Sequence, residues 1–335
     1  MGKRAARRSG SLGVGIVTPA SRAANNGNWQ TAWRWSRLLG EYYKVGIVDS
    51  WRGEPFDVLI ALHARRSAPS IAAWHAAARG PLVVVLTGTD LYRDIDGDPM
   101  AQASLTRADR LVVLQELGPE RLPAALRGRA VVCFQSCAAR RPVAKTTRHL
   151  RAVMVGHLRD EKSPETYFDA ARLLRDRDDI LLDHIGAPLD PALGATAEAL
   201  MRRCPRYRWL GALDHGRTRR CIQQAHVLVH ASRLEGGAHV LAEAVRSGTP
   251  VIASRVDGNV GMLGRDYAGY YAWNDAGALA ALLARARDEP AMLAGLIRQG
   301  AQRAPLFEPQ RERATLRSLL DGLPDAASSI ARSRP

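Results

Sequence analysis

The chain of 335 residues, 46% of them hydrophobic, is long enough for two domains of ordinary size. Because no apolar run approaches the ~20 residues that cross a bilayer and the N-terminus has no apolar secretory stretch, we expect a cytoplasmic protein without a membrane partner. The net charge of +15 comes from arginines spread over nearly every predicted helix, without the interleaved aromatics of single-strand binders, so it favours a small anionic ligand over nucleic acid.

The first half of the chain alternates short apolar runs with amphipathic segments. Residues 1–10 are basic and are predicted to form a disordered tail. The apolar run from Leu12 to Thr18 is predicted to be the first strand, and an Asn-rich loop then leads into a helix that begins near Trp29. We therefore predict that residues 11–137 form a doubly wound parallel sheet, a Rossmann-like domain. Its further predicted elements are strands 45–48, 57–62, 82–86, 111–114 and 131–134 and a helix over 70–79.

The second half repeats this alternation after a break in the hydrophobic pattern. Residues 138–150 are rich in Arg, Pro, Lys and Thr and are predicted to be an interdomain linker. A second Rossmann-like domain is predicted over 151–305, and residues 306–335 are predicted to hold a last helix and a frayed end. The strands predicted in the second half are 152–155, 180–185, 207–210, 227–230 and 251–254. The helices predicted there are 165–175, 193–203, 217–224, 239–247, 275–288 and 291–302, and the last helix is 310–320.

A strand, a loop and a helix follow one another in the stretch from His230 to Gly264. The buried strand ends at His230, the Gly-rich loop 232–238 follows, and the helix 239–247 leads through a Gly-Thr-Pro break to the next strand. In such a βαβ unit, glycines allow backbone N–H groups and the positive end of a helix dipole to face an anion. The pattern therefore predicts a phosphate-binding site.

Two glutamates flank this predicted phosphate site, Glu235 in the loop and Glu243 within the helix. An ionised carboxylate near phosphate can accept sugar or ribose hydroxyls in a charge-assisted geometry, although either glutamate alone is typical of a solvated charge. Together, the Glu-Gly-Gly sequence at 235–237, the later Glu243 and the Gly-Thr-Pro break resemble the nucleotide-sugar site of GT-B glycosyltransferases of the family-4 kind.

This resemblance implies the GT-B fold, an α/β architecture in which two Rossmann-like doubly wound domains face each other across a cleft. In that family the C-terminal domain takes the nucleotide sugar, the N-terminal domain takes the acceptor, and the last helix packs back on the first domain. Backbone around Gly186 and residues 209–212 would then hold the uracil.

The resemblance also indicates which side chains act on the donor. Lys162 matches the family lysine that stabilises the departing phosphates in place of a metal. The second phosphate cation is either His157, which stands at the family's position, or Arg159, two residues further on. The donor-binding residues that the resemblance indicates are Gly156, His157, Glu235, Gly236, Gly237, Ala238 and Glu243.

The acceptor is predicted to bind in the first half of the chain. His63 follows a buried strand, where a general base or a phosphate contact would lie, although a histidine that only caps a strand end fits equally. The aspartate run over 94–98 lacks the glutamate of an EF-hand and the four cysteines lack zinc spacing, so we expect no metal and no other cofactor. The acceptor-binding candidates are Asn25, Asn26, Gly27, Asn28, Thr87, Thr89 and Asp90.

Several segments resemble a narrower family, the selenosugar synthase of selenoneine biosynthesis. That resemblance implies transfer of the sugar of a UDP-sugar, typically UDP-N-acetylglucosamine, to selenophosphate, with release of UDP. Since a selenolate is already a strong nucleophile, such a site orients its acceptor more than it deprotonates it, and His63 would bind or cleave the phosphoryl group. The segments are 86–95, 104–115, 156–162, 232–245 and 257–271.

Other functions share parts of this pattern. An ordinary O-glycosyltransferase that acts on a lipid, a glycan or a small molecule would have the same fold, and a UDP-sugar epimerase would need no acceptor. A nucleic-acid binder would instead use the basic charge.

Overall fold

The computed structural model describes residues 12–19 and 27–324, and the chain divides into two compact units. Each unit contains one sheet of parallel strands, which confirms the prediction of two Rossmann-like domains. The first unit comprises residues through Val113, Pro119–Cys133 and residues from Arg313 onward, and the second comprises Leu114–Gly118 and Phe134–Glu312.

The sheet of the first unit is built from short apolar strands. They are β1 (Gly13–Val17), β2 (Lys44–Val48), β3 (Val58–Leu62), β4 (Leu82–Leu86), β5 (Arg110–Val113) and β6 (Ala130–Val132). Their order is β2-β1-β3-β4-β5-β6. All residues of β3 and β4 are buried, as expected for parallel strands covered on both faces. The carboxyl ends of β1, β3 and β4 therefore lie side by side at one edge of this sheet.

Helices cover the first sheet, and one of them begins directly after the aspartate run over 94–98. Asp98 accepts hydrogen bonds from the backbone N–H groups of Met100 and Ala101 and so caps a helix that begins at Pro99. The helices are α1 (Gly27–Leu39), α2 (Ala68–Ala76), α3 (Ile95–Gly97), α4 (Pro99–Arg107) and α5 (Gly118–Arg121), with a π-helical turn at Asp90–Asp94 and a 3-10 turn at Ala124–Arg129.

The sheet of the second unit has the order β12-β11-β10-β7-β8-β9. Its strands are β7 (Leu150–Val155), β8 (Ile180–Ile185), β9 (Tyr207–Trp209), β10 (Val227–His230), β11 (Val251–Ser254) and β12 (Tyr270–Tyr271). The predicted bounds of β8, β10 and β11 are confirmed. The two-residue strand β12 escaped sequence analysis because so short an apolar run carries no periodicity.

The remaining helices are α6 (Pro164–Leu173), α7 (Pro191–Arg203), α8 (His215–Gln224), α9 (His239–Val245), α10 (Asp257–Leu263), α11 (Ala276–Asp288), α12 (Pro290–Arg303) and α13 (Pro309–Asp321). Aspartates cap α7, α8 and α11 at their N-termini. Among the described helices, none has both the length and the apolar character needed to cross a membrane.

The predicted linker, residues 138–150, has no helix or strand before β7 begins at Leu150 and lies within the second unit. Its backbone is hydrogen-bonded to the second unit, since the N–H of Arg140 donates to the carbonyl of Arg246 at 2.9 Å. The Gln223 side chain donates to the carbonyl of Arg141 at 2.7 Å. The residues of α13 from Arg313 onward belong to the first unit, where Arg313 pairs with Glu41 at 2.9 Å.

Candidate functional site

Lys162 and Glu235 meet at the loop edge of the second sheet. Lys162 ends a 3-10 turn, Asp160–Lys162, in the loop after β7, and Glu235 lies in the loop after β10. The two loops follow neighbouring strands, because β10 pairs with β7. Lys162 Nζ donates to Glu235 Oε1, and the two side chains are 20% and 11% exposed. The structure therefore joins a predicted phosphate cation to a predicted sugar-binding carboxylate.

Glu235 stays ionised in this environment. Burial by itself would raise the pKa of its carboxyl, but the charge of Lys162 and the hydrogen bond and charge of His230 lower that pKa well below its usual range. The Nε2 atom of His230 lies 3.4 Å from Glu235 Oε1. Because His230 is the last residue of β10, the strand itself places this imidazole behind the carboxylate.

The small residues of the loop between β10 and α9 are explained by close packing. A Cβ atom at Gly237 would lie 2.5 Å from Cβ of Leu114, which belongs to the same unit. Gly258, at the start of α10, faces this loop from the other side, and a Cβ there would lie 2.0 Å from the carbonyl oxygen of Glu235. Gly236 is buried in the loop and Ala238 precedes α9, which ends at Val245, two residues before the predicted end.

Glu243 is buried on α9, with 4% of its surface exposed, and is surrounded by groups that can carry positive charge. His215 Nε2 lies 2.6 Å from Glu243 Oε1, and His239 Nδ1 lies 3.4 Å from the same oxygen. Arg219 Nε lies 3.9 Å away. Burial would raise the pKa of the Glu243 carboxyl, but the hydrogen bonds from His215 and His239 lower it to about 2. Glu243 is therefore a buried anion held by side chains.

The structure separates the two candidates for the second phosphate cation. His157 Nδ1 accepts a hydrogen bond from the backbone N–H of Ala187 at 3.0 Å. Burial lowers the pKa of this imidazole, and the charges of Arg159 and Lys162 lower it further. His157 is therefore a neutral residue that fixes the loop after β8. The side chain of Arg159 is 48% exposed, with Nε 3.8 Å from Glu161 Oε2.

Gly156 and the segments expected near uracil pack together at the end of β8. A Cβ atom at Gly186 would lie 1.9 Å from the carbonyl oxygen of Gly156, so only glycine fits there. The indole N–H of Trp209 donates to the carbonyl of Gly186 at 2.9 Å. The backbone N–H of Gly186 donates to Gly211 at 2.9 Å. These contacts fix the backbone that would face a nucleobase.

In the first unit, His63 follows β3 with φ of 73°, a left-handed conformation that is uncommon for residues other than glycine. Its side chain is buried, with Nε2 3.1 Å from Thr89 Oγ1, and Nδ1 accepts from the N–H of Arg66 at 3.3 Å. Burial lowers the pKa of His63, against the opposing charge of Asp90. His63 is thus a neutral imidazole at the carboxyl end of a central strand.

Asp90 is fully buried, and within the described part of the chain it accepts hydrogen bonds only from the backbone of its own unit. Its Oδ1 accepts from the N–H groups of Thr87 and Gly88, and its Oδ2 accepts from the N–H of Ala64, each at 2.9 Å. The carboxylate therefore ties the loop after β4 to the loop after β3. Thr18, at the end of β1, is also buried, and its hydroxyl has no hydrogen-bond partner among the described residues.

The remaining acceptor candidates lie before or at the start of α1. Gly27 and Asn28 are its first residues, and the carbonyl of Gly27 accepts from the Thr31 hydroxyl at 2.8 Å. Asn25 and Asn26 lie outside the described residues. Within the described residues, no group of three or more His, Cys, Asp or Glu side chains is arranged to hold a metal ion.

Sequence reasoning missed several residues of these two sites. His239 precedes Glu243 by four residues on one helix, a spacing that brings side chains together and could have been noticed. His230 ends a buried strand, as His63 follows one, which is also a visible signal. His215 and Arg219 reach Glu243 from α8, and only the tertiary fold reveals that contact.

Comparisons with known proteins agree with this architecture. Residues 138–303 match the family described as Glycosyl transferases group 1. Among solved structures, sucrose-phosphate synthase from Thermosynechococcus elongatus is 17% identical, with a TM-score of 0.74 over 92% of this chain and 98% of that one. HepE of Anabaena in complex with UDP and glucose is 13% identical, with a TM-score of 0.70 over 93% of this chain and 100% of that one.

A variant of S. aureus TarM, in complex with fondaparinux, α-GlcNAc-glycerol and UDP, is 12% identical with a TM-score of 0.63. That match covers 79% of this chain and 55% of TarM, so the chain spans about half of that protein's length. No curated protein sequence matches the chain.

These findings define a class of protein. The fold, with its two parallel-sheet Rossmann-like domains, is that of the GT-B glycosyltransferases, as predicted. Over residues 138–303, just under half of its length, the chain is similar to the glycosyl transferases group 1 family.

Proposed function

We propose that this protein is a glycosyltransferase that moves the sugar of UDP-N-acetylglucosamine to selenophosphate. A bond forms between selenium and the anomeric carbon as the bond from that carbon to the β-phosphate oxygen breaks, and the electron pair leaves with UDP. The first products are UDP and a sugar whose anomeric carbon carries the phosphorylated selenium, and hydrolysis of the selenium–phosphorus bond by water then gives the selenosugar and inorganic phosphate. The reaction is proposed to need no metal ion.

The observation that carries the proposal is the half-buried pair of Lys162 with Glu235 at the loop edge of the second sheet. A lysine held there can stabilise the charge that develops on a departing diphosphate. An ionised Glu235 can accept hydroxyls of the hexose, and Glu243 can accept those of the ribose. UDP is also present in the related structures of HepE and TarM.

The acceptor part of the proposal rests on the resemblance of the sequence segments to selenosugar synthases, and the first unit offers chemistry that suits it. Thr18, His63 and Thr89 present two hydroxyls and an imidazole at the ends of three adjacent strands. Such groups can orient a small tetrahedral anion. A selenolate needs little help from a base. This agrees with a neutral His63 whose two ring nitrogens already contact Thr89 and the backbone N–H of Arg66.

The test is an assay of UDP release from purified protein with UDP-N-acetylglucosamine, UDP-glucose and selenophosphate, with product masses measured. We expect UDP release that requires selenophosphate, gives the mass of an N-acetylhexosamine joined to selenium, and survives EDTA. Release that ignores selenophosphate but requires an alcohol acceptor would overturn the acceptor and support an ordinary O-glycosyltransferase. Conversion of the UDP-sugar without any acceptor would support an epimerase.

A further inference from the structure

The carboxylate of Glu243 has two unlike oxygens. His215, His239 and Arg219 all make their shortest approach to Oε1, at 2.6, 3.4 and 3.9 Å. No hydrogen bond from a described residue reaches Oε2. One oxygen is therefore anchored by the protein, and the other keeps its capacity to accept a hydrogen bond.

Two of the three neighbours of Oε1 are themselves fixed to backbone. His239 Nε2 lies 3.1 Å from the carbonyl oxygen of Ser136. Arg219 Nη2 donates to the carbonyl of Ala138 at 2.8 Å, and the Arg219 side chain is 7% exposed. The side chains of His239 and Arg219 are therefore held in place by contacts that do not involve Glu243.

His215 differs from them because its side chain is 72% exposed although it makes the shortest contact. It is the first residue of α8, and the cap residue Asp214 holds the start of that helix by accepting from the N–H of Arg217 at 2.9 Å. A well-placed helix start thus holds an exposed imidazole against a buried carboxylate.

We propose that His215 and His239 are positioning residues for the nucleotide: they fix Oε1 of Glu243 so that Oε2 accepts a ribose hydroxyl. This inference rests on the proposed function, because it assumes that the nucleotide binds beside Glu243. A carboxylate that is already oriented loses less conformational freedom when the ligand binds. Its anchored oxygen also preserves the negative charge that makes the hydrogen bond to the hydroxyl strong.

The test is the titration of UDP into the full-length protein by calorimetry, with His215→Ala, His239→Ala and the exposed neighbour Arg220→Ala as a control. Each histidine variant should weaken UDP binding about fivefold to tenfold, while Arg220→Ala binds as the wild type does. Because His215→Gln keeps an N–H donor at the same place, it should recover part of the loss. With UDP-sugar as substrate, KM should rise and kcat should stay unchanged.

A structural role is separated from a positioning role by a UDP analogue that lacks both ribose hydroxyls. Wild type should bind this analogue more weakly than UDP, and the difference should shrink in His215→Ala. An undiminished difference, or UDP affinity in His215→Ala equal to that of the control, would overturn the inference alone. Wild-type protein that fails to bind UDP would overturn the proposed function and the inference together.

Discussion

Asp90 in the first unit and Glu243 in the second are both buried carboxylates on the segments that follow central parallel strands. Asp90 accepts hydrogen bonds from three backbone N–H groups, and these bonds cannot break unless two loops move. Among the described residues, Glu243 is approached by side chains, all nearest to its Oε1 atom, which leaves Oε2 able to accept a hydrogen bond from a ligand. Two carboxylates that are equally buried can therefore have different roles. A carboxylate that accepts from backbone N–H groups shapes the site, whereas one that contacts only side chains can still bind a substrate.

The Lys162–Glu235 pair resembles Glu243, because its contacts within the described residues are also made by side chains and not by backbone N–H groups. Its members contact each other through side chains alone, although both are mostly buried. A donor diphosphate can replace Glu235 as the partner of Lys162 without breaking any backbone hydrogen bond. Substitutions of Lys162, Asp90 and Glu243 test whether this division between fixed and exchangeable carboxylates holds.

The largest effect is expected for Lys162→Ala. If Lys162 stabilises the leaving diphosphate, its removal should lower kcat by about 100-fold to 1000-fold, a cost typical of losing one transition-state charge contact. The KM for the UDP-sugar should change far less. Steady-state kinetics of UDP release measure both, and Lys162→Ala/Glu235→Gln serves as a control that leaves no unpaired buried carboxylate. An unchanged turnover number would remove Lys162 from catalysis.

Asp90→Ala should act on stability instead of on the nucleotide. It leaves three backbone N–H groups without their charged acceptor, which should cost about 3 kcal/mol of unfolding free energy. Asp90→Asn keeps one acceptor oxygen and should lose less. Urea denaturation measures the cost, and calorimetry should find UDP affinity unchanged. A weakened UDP affinity in folded Asp90→Asn would contradict the fixed role given to this carboxylate.

Glu243→Ala should weaken UDP binding by roughly 2 kcal/mol, the value of a lost hydrogen bond to a charged group. Glu243→Gln keeps the shape of the side chain but loses its charge, and should fall between wild type and Glu243→Ala. Isothermal titration with UDP measures both variants. Undiminished affinity in Glu243→Ala would place Glu243 with Asp90 as a structural carboxylate.

Much of the fold followed from the sequence because buried parallel strands are continuous apolar runs. β10 and β11 were predicted with their observed bounds for this reason. The helix α10 was missed because Gly258 and Gly261 lower helix propensity. The structure requires Gly258 all the same, since its neighbour, the backbone of Glu235, leaves no room for a side chain.

The site was predictable where its residues are close in sequence. Glu235 and Glu243 lie on one βαβ unit, so their spacing was visible. The contact of His215 with Glu243 depends on how α8 packs on α9, which no local pattern encodes. Asp90 is predicted from the sequence to bind the acceptor, and its hydrogen bonds with three backbone N–H groups are visible only in the three-dimensional structure.

The smallest effect is expected at His63, whose neighbour Asp90 approaches its Nδ1 to 3.9 Å. Burial lowers the pKa of His63, so the folded protein resists a proton that the unfolded chain accepts. Stability should therefore be unaffected above the ordinary histidine pKa of about 6.5 and should fall as the pH drops from there toward the lower folded-state pKa. His63→Gln should remove this part of the pH dependence.

Urea denaturation of wild type and His63→Gln at pH 7.5 and pH 5.5 measures that difference, with His75→Gln on α2 as the matched control. The pH dependence of the unfolding free energy should be smaller in His63→Gln than in the control. Equal pH dependence in all three proteins would mean that His63 takes up its proton in the folded state. His63 would then be a cation beside Thr89. It would be an exchangeable group, in contrast to the carboxylate of Asp90 in the same unit, which backbone N–H groups hold fixed.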